Sequence, residues 1–192
     1  PHAALDGAKD RLMPRFLVLL CAIAALPAAA DECYSVDPAG GSVSFELKQA
    51  GSPFRGSFRR FGGEICVAQD RVARIDVWLE PASVETGLPE IDAALKEREF
   101  FDVARHPRIA FASESARVRG DQQVARGTLD IKGRRRNADV PFRLGESGGK
   151  PVVSGSFTLD RLDYGIGTGE WSDTRWLGGE VKLDFSATLS RR

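Results

Sequence analysis

The chain has 192 residues, with 27 Lys or Arg and 27 Asp or Glu, so its formal net charge is zero. The length suits one domain, and a content of 42% hydrophobic and 28% charged residues excludes a disordered chain. The neutral charge argues against a protein that binds nucleic acid, because neutralising phosphates requires a basic surplus. Two His and three Cys are too few for most metal sites, so neither a metal nor a cofactor is predicted.

Residues 1–30 are predicted to be an upstream extension followed by a cleaved secretory signal. Residues 13–15 form a short charged region, residues 16–26 an apolar one, and residues 27–30 supply small residues before a cut after Ala30. A transmembrane anchor is the alternative. Eleven apolar residues rise only about 16 Å as a helix, which is roughly half of the bilayer core. We therefore expect an exported chain whose single domain spans residues 31–192.

Alternation of apolar and polar residues predicts eight or nine strands in the exported part. They span residues 42–49, 56–61, 64–68, 73–80, 108–117, 123–132, 139–144, 153–159 and 181–189. Turns are predicted at residues 62–63, 69–70 and 145–150. One helical passage, from Leu88 to His106, separates the fourth and fifth strands. Successive one-sided strands with short turns predict an all-β, antiparallel sheet that closes into a barrel.

Two cysteines remain after the predicted cleavage, Cys33 and Cys66. Export leads to an oxidising compartment, where a disulfide between them is favoured. Two buried free thiols are the alternative.

Two short motifs could carry chemistry, and both have a simpler interpretation. Residues 145–149 match G-x-S-x-G, but Ser147 falls on a predicted hairpin turn, and His106, the single histidine left after cleavage, precedes it. An esterase would need a strand-to-helix turn with the His downstream. The arginine run at residues 134–136 could contact phosphate, yet a solvated turn accounts for it in a neutral chain.

The predicted inward faces of the strands are apolar, which suits either a packed core or a pocket for one elongated apolar ligand. Register decides this set, because a slip of one residue exchanges the faces of a strand. The candidate ligand-binding residues are Val43, Phe45, Leu47, Phe58, Ile65, Val67, Ile75, Val77, Phe111, Leu129, Ile131, Phe157, Leu183 and Phe185. Three further aromatic residues on a late Gly-rich loop are candidates for the barrel mouth, namely Tyr164, Trp171 and Trp176.

A series of short motifs occurs in the same order as in one known family. They are Tyr34-Ser35-Val36-Asp37-Pro38, Val43-Ser44-Phe45, Phe61-Gly62-Gly63, Ser83-Val84-Glu85-Thr86-Gly87, Phe100-Phe101-Asp102, His106-Pro107, Gly127-Thr128-Leu129 and Arg161-Leu162-Asp163-Tyr164-Gly165. Over residues 33–189 the chain resembles YceI-like proteins.

The resemblance implies a lipocalin-like, eight-stranded antiparallel barrel with one short helical insertion between its fourth and fifth strands. It further implies a periplasmic, non-catalytic protein whose barrel holds an isoprenoid lipid, either a polyisoprenoid or a prenylquinone. A packed-barrel stress or structural protein without ligand and an esterase-like hydrolase remain as alternatives. A homodimer and transient contact with the membrane or its redox proteins stay open as partner hypotheses.

The chain departs from the family pattern where many members carry polar side chains. Gly40 and Gln49 stand in place of two histidines, and Ile91 and Ala94 in place of the Arg and His of the helix motif. Any family contact to a ligand headgroup through these positions would therefore be altered here.

Overall fold

The structure is a computed structural model that describes residues 32–68 and 71–191. The predicted signal sequence and the predicted turn at residues 69–70 lie outside the described residues. Within the described ranges, no helix is both long enough and apolar enough to cross a bilayer.

The described residues form eleven strands and one α-helix, joined by short turns and 3-10 helices. The strands are β1 Glu32–Gln49, β2 Ser52–Phe58, β3 Phe61–Ala68, β4 Arg71–Leu79, β5 Val84–Glu85, β6 Ile109–Ser113, β7 Ala116–Arg119, β8 Gln122–Ile131, β9 Arg134–Ser147, β10 Lys150–Asp160 and β11 Glu180–Arg191. The helix is α1 Pro89–Ala94, and 3-10 helices span Pro81–Ser83, Arg161–Tyr164 and Gly169–Ser172.

Eight of these strands pair in a closed antiparallel ring, in the order β1-β3-β4-β6-β8-β9-β10-β11 and back to β1. The ring closes where β1 pairs with β11, for example Val43 opposite Phe185 and Phe45 opposite Leu183. Closure satisfies the backbone groups that an open sheet would leave at its two edges. The prediction of an all-β, eight-stranded antiparallel barrel is confirmed.

The long strand β1 gives the barrel two unlike ends. Its first half pairs with β3 and its second half with β2, and the register shifts between Asp37 and Ser42. The β1–β2 hairpin therefore extends past the end of β4, towards α1 and towards residues 161–179, which join β10 to β11. We call these three segments the mouth, and we call residues 161–179 the mouth loop.

The opposite, closed end of the barrel is packed with apolar side chains. Val72 is 2% exposed, Ala125 0% and Leu189 3%, and Tyr34, Val67 and Leu144 pack against them while remaining partly buried. On the outer wall at this end Cys33 lies opposite Cys66 on the neighbouring strand, with Cα atoms 4.0 Å apart and the sulfurs bonded. The predicted disulfide is confirmed.

Two predicted turns differ from the structure. Gly62 and Gly63 lie inside β3, and the break falls at residues 59–60 instead. Position 63 requires a glycine for two reasons. Gly63 has a positive φ of 131°, and the backbone of Val77 on β4 lies where a Cβ atom would be. The Gly-rich turn is confined to Gly148–Gly149, and both of these residues have positive φ, which suits a two-residue hairpin.

The arginine run and the helix also differ from prediction. Residues 134–136 are the first residues of strand β9, and the turn lies before them at Lys132–Gly133. Pairing with β8 and ion pairs to Asp130 and Asp163 stabilise the extended backbone there. The helix is only six residues long, since Pro89 at its start favours the first turn and no residue of α1 is buried to extend it.

We expect the Cys33→Ser, Cys66→Ser double variant to lose about 3–4 kcal/mol of unfolding free energy, because the bridge closes a chain segment of 33 residues in the unfolded state. Urea unfolding of both proteins, without reductant, measures the difference. Adding reductant should lower the stability of the wild type to that of the variant and leave the variant unchanged. Two alkylatable thiols in the unreduced wild type would contradict the bridge.

Candidate functional site

A cavity of about 290 Å³ occupies the barrel, and its walls are almost entirely apolar. It extends from Val36 and Val153, next to the packed end, to Trp171 and Leu177 in the mouth loop. Protein interiors contain few voids larger than a water molecule. An apolar cavity deprives the side chains that line it of packing contacts, which lowers the stability of the fold.

Most of the inward residues predicted from alternation lie in the wall of this cavity. They are Val43, Phe45, Leu47, Phe58, Ile65, Ile75, Val77, Phe111, Leu129, Ile131, Phe157, Leu183 and Phe185. The cross-strand pairs Val77–Phe111 and Phe157–Leu183 show why, because directly opposed residues share one face of the sheet. Contact of these residues with a ligand stays a prediction.

Val67 does not line the cavity. A register shift between Cys66 and Val67 places it beside Val72, within the packed closed end. Alternation from Ile65 predicts the correct face for Val67, but it does not give the depth along the barrel axis.

The three aromatic residues predicted at the mouth have different surroundings. Trp171 lines the cavity, is 39% exposed, and its ring lies 5.7 Å from that of Phe100. Trp176 is 67% exposed and lies at the rim, where its carbonyl accepts a hydrogen bond from the Ala50 amide at 2.8 Å. Tyr164 is 4% exposed and belongs to the hydrophobic core. Burial raises the pKa of its phenol, opposed by the charge of Arg136.

Arg161 is a buried charge at the inner end of the mouth loop, with 2% of its surface exposed. Its guanidinium donates five hydrogen bonds, all to backbone carbonyl oxygens. Nε donates to Gly178 at 2.9 Å, Nη1 to Ile166 and Gly167 at 2.7 Å, and Nη2 to Trp171 at 2.7 Å and Leu177 at 2.6 Å. These bonds use all five N–H donors of an arginine side chain.

Burial lowers the pKa of Arg161, and the charge of neighbouring Asp160 opposes that effect. The guanidinium nevertheless stays charged at neutral pH, because the ordinary pKa of arginine lies so far above neutrality. Arg161 borders the cavity, yet it has no donor left for a ligand. Its role is structural, because its hydrogen bonds link five carbonyl groups of the mouth loop to one side chain.

The cavity offers few polar groups to a ligand. Apart from Arg161 and two indoles, the polar side chains in its lining are those of Gln49 and Ser186, and Gln49 is exposed at the mouth. Ile91 and Ala94, two positions that depart from the family pattern, are apolar parts of the same lining. A ligand would therefore place hydrocarbon inside and any polar headgroup at the mouth.

A second, polar cleft lies beside the mouth and holds the segments around it together. Lys132 donates from Nζ to the carbonyls of Arg98 at 2.7 Å and Gly165 at 2.9 Å. Partial burial lowers the pKa of Lys132, while the charge of Asp102 opposes the shift. The ammonium thus links the β8–β9 turn to the segment after α1 and to the mouth loop.

Sequence reasoning missed several lining residues. They are Val36, Phe54, Phe61, Leu95, Phe100, Phe101, Phe142, Val153, Leu159, Ile166, Leu177 and Val181, among others. Alternation also places Phe142, Val153, Leu159 and Val181 inward, so those four could have been found from the sequence. The residues of α1, of the segment after it and of the mouth loop carry no periodic signal for a cavity they reach only in the folded chain.

The candidate nucleophile and base lie at opposite ends of one strand. Ser147 is exposed at the last position of β9, whereas His106 lies against Gly133, just before β9 begins. A strand of this length spans about 40 Å. Ser147 and His106 therefore cannot form a catalytic pair, and the esterase interpretation of this motif is wrong.

Comparison with known proteins decides the family. The model of the YceI-like domain matches residues 34–189. The chain belongs to the YceI-like family. UPF0312 protein ECA1782 of Pectobacterium atrosepticum is 26% identical over 146 residues, covering 74% of this chain and 76% of that protein. Protein YceI of Salmonella arizonae is 28% identical over 123 residues. The match covers 62% of this chain and 64% of that protein, which is less than two thirds of its length.

Solved structures show the same barrel. BcnA of Burkholderia cenocepacia superposes with a TM-score of 0.75 at 26% identity, over 80% of this chain and 98% of that one. A polyisoprenoid binding domain of Saccharophagus degradans, implicated in plant cell wall breakdown, gives a TM-score of 0.68 at 15% identity, over 83% and 98% of the two chains. The second likeness shows the fold alone.

We expect Arg161→Lys to lower the unfolding free energy by about 3 kcal/mol, because an ammonium cannot reach five carbonyls and leaves several buried and unpaired. Arg136→Lys is the matched control. Arg136 is half exposed and pairs with Asp163, so its replacement should cost less than about 1 kcal/mol. Chemical denaturation measures both, and amide exchange should quicken across residues 166–178 in Arg161→Lys alone. Equal losses in the two variants would contradict this role of Arg161.

Proposed function

We propose that this protein binds an elongated isoprenoid lipid, either a polyisoprenoid or a prenylquinone, inside the barrel and does so without catalysis. The observation that carries the proposal is the apolar cavity, which extends from the buried residues of the closed end to the exposed residues of the mouth and is almost free of polar groups. Burial of hydrocarbon, at roughly 25 cal/mol per Å² of apolar surface, would supply the affinity. The polyisoprenoid binding domain of Saccharophagus degradans, which has the same fold, supports this class of ligand.

The proposed site of action is the periplasm. Residues 1–30 have the charged, apolar and small-residue regions of a secretory signal, and the disulfide between Cys33 and Cys66 suits an oxidising compartment. Neither a metal nor an organic cofactor is part of the proposal, because the isoprenoid is itself the ligand.

We expect protein recovered from the periplasmic fraction of its own host to carry a prenyl lipid of defined mass, which native mass spectrometry detects. Val77→Trp should lose that lipid, because Val77 lines the cavity opposite Phe111 and an indole there obstructs the path of an elongated chain. The same change at Val118, which is 60% exposed on β7, should leave the lipid in place.

Circular dichroism and thermal unfolding of both tryptophan variants establish that they fold. A wild-type protein that arrives empty and takes up neither geranylgeraniol nor ubiquinone would overturn the proposal in favour of a stress or structural protein without ligand. Equal lipid content in Val77→Trp and Val118→Trp would place the lipid outside the cavity.

A lipid of this kind is nearly insoluble in water, so we propose that the mouth contacts the membrane surface directly. Three large apolar side chains surround it with unusual exposure, namely Trp176 at 67%, Leu88 at 53% and Trp171 at 39%. Tryptophan is favoured at the interface between membrane and water, where an apolar ring and a polar N–H are both accommodated. Next to Trp176 the charge of Arg175 is matched by that of Asp173, with which it pairs at 2.6 Å.

We expect Trp176→Ser to weaken binding to vesicles of phosphatidylethanolamine and phosphatidylglycerol by roughly tenfold, the effect of losing one buried large apolar side chain. Vesicle co-sedimentation measures the change. Val118→Ser is the control, because Val118 is 60% exposed but pairs with Gln123 near the closed end. Equal weakening by the two substitutions would contradict a membrane contact through the mouth.

A further inference from the structure

The cavity stays open although it is lined by many large rings. Ten of the eleven phenylalanines of the chain line it, and the eleventh, Phe16, lies outside the described residues. Eight-stranded barrels are narrow enough for side chains alone to fill them. Something must therefore keep these rings away from the barrel axis.

Three of the rings lie over glycines of the adjacent strand. Phe45 is directly opposite Gly56, and Phe185 directly opposite Gly155, so each pair shares the inner face of the wall. The ring of Phe111 likewise reaches over Gly127 on β8.

A Cβ atom at any of these glycines would collide with the ring. It would lie 2.6 Å from Cε1 of Phe45 at Gly56, 2.9 Å from Cε1 of Phe185 at Gly155 and 2.8 Å from Cζ of Phe111 at Gly127. Carbon atoms in contact are about 3.5–4.0 Å apart. Each ring tip therefore occupies the space that a side chain on the next strand would otherwise take.

We propose that these glycine–phenylalanine pairs set the bore of the cavity and so act as specificity-determining residues for its ligand. A ring that leans along the wall leaves the barrel axis free for a slender hydrocarbon chain. A side chain at the glycine would push the ring inwards. The inference rests on the proposed function for the identity of the ligand, but the geometry that it describes can be tested separately.

Gly56 is the position at which the pair can be tested cleanly. The atoms nearest to its added Cβ belong only to side chains, those of Phe45 and Thr86. At Gly127 and Gly155 the carbonyl oxygens of Ala112 and Pro141 are also too close, so substitution there would disturb the backbone. Gly56→Ala can be accommodated by a movement of the Phe45 ring.

The test uses two probes, xenon in crystals of the protein and geranylgeraniol in solution. We expect Gly56→Ala to lower xenon occupancy in the cavity and to weaken geranylgeraniol binding about tenfold, an effect of the size that overpacking produces. Gly145→Ala is the matched control. Gly145 is an exposed residue of β9 with no atom within 4 Å of an added Cβ, and it should change neither reading.

A rescue variant distinguishes an effect on the width of the cavity from a general loss of stability. Adding Phe45→Leu to Gly56→Ala removes the displaced ring and should restore xenon occupancy and most of the binding, so the two substitutions should be strongly non-additive. Full occupancy and binding in Gly56→Ala, or no recovery in the double variant, would overturn the inference. If xenon follows this pattern while geranylgeraniol fails to bind even the wild type, the pairs set the bore and the proposed function is wrong.

Discussion

The mouth of this barrel depends on one buried cation. Arg161 donates hydrogen bonds from all five of its N–H groups to carbonyl oxygens of residues 166–178. These bonds hold in place a loop that has little regular structure. The desolvation of a guanidinium is costly, and only a full set of hydrogen bonds offsets it. Two of these carbonyls belong to Trp171 and Leu177, so the same centre helps to place both residues in the cavity wall.

The two ends of the barrel are built from the same apolar residue types, but one end is packed and the other surrounds a cavity. At the closed end Val72, Ala125 and Leu189 are buried in the hydrophobic core, and a disulfide on the outer wall joins the neighbouring strands β1 and β3. Towards the mouth, valine, leucine and phenylalanine surround an open volume. The difference lies in where the rings are directed, since an aromatic side chain that lies over a glycine covers the wall without filling the interior.

The periodic parts of the chain carried most of what could be predicted. Alternation over residues 42–49 assigned Val43, Phe45 and Leu47 to the inner face, and pairing with β11 keeps them there. Prediction failed where tertiary contacts override the local pattern. Gly62 and Gly63 suggested a turn, but the close approach of β4 requires glycine inside a strand, and a register shift carried Val67 away from the cavity.

The closed antiparallel barrel, its apolar interior and the two cysteines available for one bridge follow from the order of the residues, because period-two alternation and residue chemistry are local properties. The cavity in that interior becomes apparent only in the folded chain. Whether inward side chains meet at the axis depends on which residues lie opposite one another, such as Phe45 and Gly56, and on where the barrel is sealed. Those are relations between residues on different strands, and alternation within one strand does not encode them.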